Sequence, residues 1–244
     1  MANWVTHLMI ADEALKELDY LLPRGFCVGS IAPDCNIENE DWTGFTPPRE
    51  ITHWMDGEIK DEDDCERFLK AYFLSRRIDS EEEYAFLLGY YAHLIEDAEY
   101  MAFLRDPARV KAAWERIEKS LAPGEKIMAT QRDWQGIKTV FGKERRMKEL
   151  SRIEYEYLSE NPDSGYIRHI LNLDAFPDYI DYLPENAIKR KIGVMPKPVN
   201  EKIELISMTK EELYEFVRKT KDKVVLKIRK AEEMRKEETE CSEK

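Results

Sequence analysis

The chain has 244 residues, 43% of them hydrophobic and 36% charged, with a formal net charge of −12. That length can bury a sizeable core, and the balance excludes disordered, fibrous and membrane-embedded classes. The negative charge works against nucleic acid and anionic bilayers, so small molecules and other proteins are the expected partners.

"MANWVTHLMI" has no basic region, long apolar run or cleavage site, so no secretory signal is expected. "NWVTHLMIADEALKEL" predicts a first helix: Val5, Leu8, Met9, Ala11, Leu15 and Leu18 share one broad face, and Asn3 can cap it. "GSIAPDCNI" (29–37) is a broken but apolar loop, and its proline stiffens the backbone just before a single carboxylate, Asp34. "REITHWMDG" places His53 at a break after Pro47 and Pro48. "SEEEYAFLLGYYAHLIEDAEYMAFL" opens on Ser80 and Glu83 in capping-box spacing and predicts a long helix to about residue 104. Its least polar run is about a dozen residues, against the roughly 20 that span a bilayer, and reads as a buried helix.

Pro107 suits the first turn of a helix carrying Val110, Ala113, Trp114 and Ile117. A loop is expected over 121–130, then a charged amphipathic helix over about 134–158. "NPDSG" (161–165) breaks the chain before a short helix with His169, and the prolines of 177–198 predict irregular structure. Thr209 and Glu212 form a second capping box for a last helix, about 209–236, striped by Leu213, Phe216, Val217, Val224, Ile228 and Ala231. One all-α domain over 1–244 is predicted. Cys27, Cys35, Cys65 and Cys241 form no CxxC pair, so reduced thiols and a cytoplasmic setting are expected.

The chain has four histidines. His93 and Asp97 are four apart on the long helix and leave it on one face. Alone, that spacing fits a hydrogen-bonded core pair as well as a metal-ligand pair. With His7, Asp34 and His53, it becomes three imidazoles and two carboxylates from four segments. Such mixed nitrogen and oxygen ligation suits zinc, and also manganese or iron.

"THLMIADEAL", "GFCVGSIAPD", "THWM" and "GYYAHLIEDAEY" occur in this order. In this the chain resembles the bacterial zinc-dependent phospholipases C, whose all-helical superfamily includes the single-strand-specific nucleases. The resemblance covers about 4–104. It implies a multi-helix bundle in which His53 and His93 hold one metal and Asp97 bridges to a second metal on His7. Asp34 is implied as a ligand of the first metal or as the base that orients the attacking water. The implied reaction is hydrolysis of a phosphoester.

The chain also departs from that pattern. Phe103 stands where the family ends its long-helix motif with a histidine. The later HxxxE pair is missing: His169 has Leu173 four residues on, and Asp174 is out of phase. Trp4 is preceded by three residues, so the free-amine chelate of the secreted enzymes is not expected, and Trp4 reads as a packing residue. One or two zinc ions and a soluble, small-molecule phosphoester are expected. Nucleic-acid binding and stable membrane association are not, because "KERRMK" and "KRK" read as solvated faces. The competing reading is a non-catalytic, metal-stabilised helical binding domain. An HD-type phosphohydrolase would show an adjacent His-Asp dipeptide, and this chain has none.

Overall fold

The structure is a computed structural model that describes residues 3–41, 43–57, 61–121, 127 and 131–242. Most of the loop expected over 121–130 lies outside the described residues. The predicted all-α class is what the structure shows. The only strands among the described residues are a short antiparallel pair, β1 (Ile37–Glu38) and β2 (Phe45–Thr46), with Ile37 opposite Thr46.

Helices α1 (Trp4–Ala14) and α2 (Pro23–Gly29) lead into a tight 3-10 turn at Ala32–Asp34. After the strands come α3 (Arg49–Thr52) and α4 (Glu62–Phe68), the latter widening into a π-type turn at Leu69–Leu74. Next are α5 (Glu81–Arg105) and α6 (Pro107–Lys119), as the caps predict. The Ser80 hydroxyl accepts the Glu83 N–H at 3.1 Å, and the Asp106 carboxylate accepts the Arg109 N–H at 2.8 Å.

The helix expected over 134–158 is instead two, α7 (Trp134–Val140) and α8 (Lys143–Glu160). Phe141 turns extended to bury its ring, and Gly142, also extended, starts the next helix. A second π-type turn spans Tyr166–Ile170 and carries His169. The proline-rich stretch is not wholly irregular either. It holds α9 (Ala187–Val194), launched by Asn186 in the left-handed region at φ 58°. Helix α10 (Lys210–Ser242) has its predicted capping box, with Thr209 and Glu212 exchanging bonds of 3.0 and 3.2 Å, and runs past residue 236.

The chain packs as two compact units, and α5 and α10 contribute residues to each. In the first unit (1–99, 163–195 and 218–244), α2 lies directly on α5. A Cβ on Gly29 would meet the Phe86 carbonyl oxygen at 2.1 Å, and one on Gly89 would meet that of Phe26 at 2.1 Å. Only glycine admits this approach. In this unit Leu8, Ile10, Phe26, Ile31, Phe86 and Tyr90 are all fully buried, as are Val224 and Ile228 of α10. Trp4 is buried as a packing residue should be, and Cys27 and Cys35 are buried free thiols. Lys191 departs from its expected solvated place: it is buried and pairs with Glu38 at 2.8 Å, and Arg190 takes the other Glu38 oxygen at 2.7 Å.

The second unit (100–162 and 196–217) is built on Val110, Ala113, Trp114, Ile117, Ile137, Phe141 and Ile206. Its buried polar centre is Glu149. One carboxylate oxygen accepts both the N–H and the hydroxyl of Ser207, at 2.8 and 2.6 Å. Glu149→Ala would strand both donors and should cost roughly 2–4 kcal/mol in urea unfolding. Glu149→Gln, which keeps an acceptor, should cost less than half as much. An alanine variant within about 0.5 kcal/mol of the parent would contradict this, since that is the scatter of an ordinary surface change.

Candidate metal centre

Four local structures bring the predicted residues together in the first unit. Helix α1 carries His7, and α5 carries His93 and Asp97 one turn apart. The 3-10 turn ends on Asp34, and His53 caps the short α3. Trp54 follows His53 at φ 58°, a region a bulky residue rarely enters. It is held there by its indole N–H, which donates to the Tyr182 hydroxyl at 3.0 Å, and by Phe68 and Tyr72 packed edge-on. On the other side of His53, the Thr52 carbonyl accepts the Tyr90 hydroxyl at 2.6 Å, and Tyr90 is bonded to Tyr182 at 2.7 Å.

Each imidazole is anchored through Nδ1. His7 Nδ1 meets Glu96 Oε2 at 2.5 Å, His53 Nδ1 meets the Thr52 hydroxyl at 2.9 Å, and His93 Nδ1 meets the Ser30 carbonyl at 2.8 Å. Partners on Nδ1 leave Nε2 as the outward donor, the arrangement that orients metal-ligating histidines. The Nε2 atoms converge: His53 and His93 are 3.4 Å apart there, and the His7 and His93 rings stack with centroids 3.9 Å apart. Asp34 Oδ1 lies 3.3 Å from His53 Nε2, and Asp97 Oδ2 lies 3.6 Å from it and 4.0 Å from His93 Nε2.

The spacing fits a cation. Two zinc–ligand bonds of about 2.1 Å at a tetrahedral angle separate their ligand atoms by roughly 3.4 Å. Seven-tenths of an ångström spans the distances just given, and most exceed a hydrogen bond. His7 Nε2 and Asp97 Oδ1 face each other at 3.7 Å, both buried and both without a hydrogen-bond partner. Buried groups left so are costly, and an ion between them would satisfy both. Ligand atoms of His53, His93 and Asp97 lie within 4.8 Å of one another, as do those of His7, Asp34 and His93. The five predicted residues are therefore one shared cage.

The electrostatics favour the ligating form at His93, Asp34 and Asp97 and oppose it at His7. Burial, then the nearby His7, hold His93 far below its usual pKa, so its ring is neutral. Burial opposes ionisation of Asp34 and Asp97, but it is outweighed, at Asp34 by the hydrogen bond with His53 and at Asp97 first by the chain's amino terminus, and both carboxyls lie well below the usual range. At His7, burial is outweighed by the Glu96 carboxylate and the pKa rises; burial raises Glu96 too. Among the five, the side chains of His7, His53, His93 and Asp97 are at most 3% exposed, whereas that of Asp34 is 11% exposed. Asp34 is the one that meets solvent.

His169 belongs to neither group; it sits half-buried near Arg168 and Arg24, its pKa lowered by burial and then by those cations. Phe103 packs against Tyr100 and Phe216 with the Arg109 guanidinium over its ring. Sequence reasoning missed the anchors Glu96, Thr52 and the Ser30 carbonyl. Glu96, next to Asp97 in an apolar helix, carried a signal that a buried acid needs a partner; the other two carried none.

Fold and donor cage together define a helical protein with a candidate metal centre in its core. The model of the zinc dependent phospholipase C family matches residues 6–99, the segment that builds the cage. No curated protein and no solved structure matches the chain. The family match supports a metal-dependent, phospholipase-like hydrolase. No helix among the described residues is long and apolar enough to cross a membrane.

Proposed function

We propose that this chain is a zinc-dependent phosphoester hydrolase acting on a small soluble ester. The observation that carries this reading is the convergence of three Nδ1-anchored imidazoles on two carboxylates, inside the family-matched segment. His53, His93 and Asp97 would hold one ion, and His7 with the second Asp97 oxygen would hold another. When bound, zinc makes water acidic enough to attack near neutral pH and offsets the charge of the phosphate.

The protein's own contributions are read from its side chains. Asp34, the most exposed of the five, would orient the attacking water and take up its proton at a carboxylate oxygen. The Nδ1 anchors keep the imidazoles from rotating, and the glycine contact between α2 and α5 fixes Ser30 against His93. Apolar walls strengthen each of these interactions. The net charge of −12 and the pairing of Arg190 and Lys191 with Glu38 favour a small ester over nucleic acid or an anionic bilayer.

The test is metal analysis of purified protein, followed by turnover of p-nitrophenyl phosphate and bis(p-nitrophenyl) phosphate with zinc, manganese or iron. One or two ions per chain and metal-dependent hydrolysis of at least one ester are expected. Asp34→Asn should lower kcat by about 10²–10⁴ while zinc is retained. Fully loaded protein without turnover, and with thermal stability that depends on zinc, would instead mark a metal-stabilised binding domain.

A further inference from the structure

Arg49 is the one cation recorded in contact with the donor cage among the described residues, and neither the motifs nor the family match gives it a role. It is the first residue of α3, four before His53, so both side chains leave the same face. Its Nη2 lies 3.6 Å from Asp97 Oδ2, its side chain is 36% exposed, and its Nε is buried without a hydrogen-bond partner. A guanidinium whose task was to neutralise Asp97 would close to hydrogen-bonding distance and use two donors. This one stands off, partly exposed, while three imidazoles already surround the carboxylate. Asp34 is the most exposed of the five donors.

We infer that Arg49 receives the substrate's phosphate group, its planar fork taking two non-bridging oxygens as the ester meets the cage. The inference rests on the phosphoester reading above and names the residue that would orient the ester. A fork, rather than a point charge, suits that task because it fixes direction as well as attracting.

The test uses full-length, zinc-loaded protein and inorganic phosphate as the probe, titrated calorimetrically. Arg49→Met should weaken phosphate binding about 10- to 100-fold, the loss of one or two charge-assisted bonds, with zinc content unchanged. Arg49→Lys should fall between. With any ester that is turned over, the loss should appear in KM at least as strongly as in kcat. Sedimentation with phosphatidylcholine vesicles separates the two sources of phosphate: binding that depends on Arg49 would show a headgroup, and none would show a free ester. Undiminished phosphate affinity in Arg49→Met, no phosphate binding by loaded wild type, or loss of zinc from the variant would each overturn the inference. Failure of the wild type to take up zinc would overturn the hydrolase reading itself.

Discussion

Asp97→Asn is expected to abolish the thermal stabilisation that zinc confers. At a free zinc concentration 100 times Kd, a site that exists only in the folded chain stabilises it by about 2.7 kcal/mol. For a chain of this size that raises Tm by roughly 5–10 °C. Asp97 is the residue to remove, because one of its oxygens faces His53 and His93 and the other faces His7. Without zinc, the substitution removes a carboxylate that His7, His53, His93 and Arg49 surround, so the metal-free variant should melt somewhat below the wild-type temperature. Scanning fluorimetry with zinc and with a chelator reads both halves. A zinc shift of wild-type size in Asp97→Asn would strike Asp97 from the ligand set.

Gly89→Ala should be among the most damaging single-methyl additions in the described residues. The added carbon would stand 2.1 Å from the Phe26 carbonyl oxygen, and backbone cannot swing aside as a side chain can. Overpacking of a flexible site costs 1–3 kcal/mol, so this one should cost about 3 kcal/mol or more. Gly29→Ala should behave alike, against the Phe86 carbonyl. Both should also weaken zinc binding, because separating the helices pulls the Ser30 carbonyl from His93 Nδ1. Gly193→Ala in α9, whose new carbon would meet nothing within 4 Å, should instead gain about 0.5–1 kcal/mol. Urea midpoints for the three variants check the contrast; a Gly89→Ala midpoint near wild type would mean that α2 and α5 can part freely.

The long helices were legible because their signals are local. Ser80 bonds with Glu83 and Thr209 with Glu212 within one turn, Pro107 suits a first turn, and the structure keeps each boundary. The break at Phe141 and Gly142 was not legible: the helical period continues across it, and only the buried pocket beside Trp114 and Ile137 makes the extended turn worthwhile. Helix α9 was hidden by its flanking prolines, and its buried Lys191 is explained by Glu38, more than 150 residues earlier. The sequence assigned no element to 62–74, where α4 passes into a π-type turn.

The donor cage was legible as residue types and order, since His7, Asp34, His53, His93 and Asp97 lie in recognisable motifs and the structure brings all five together. What holds them was not. A backbone carbonyl at Ser30 leaves no mark on a sequence, and Tyr182 reaches His53 only through Tyr90, Thr52 and Trp54. Arg49 stands in the same stretch as His53, but nothing in the sequence singled it out.

The Tyr182 bridge also sets a schedule. Every donor to the cage has been synthesised by residue 97, yet the hydroxyl that steadies both neighbours of His53 comes some 85 residues later. At ribosomal speeds of about 5–20 residues per second, the imidazoles and carboxylates of the nascent chain wait several seconds for that support. The surroundings of His53 are thus completed late, once synthesis has passed Tyr182.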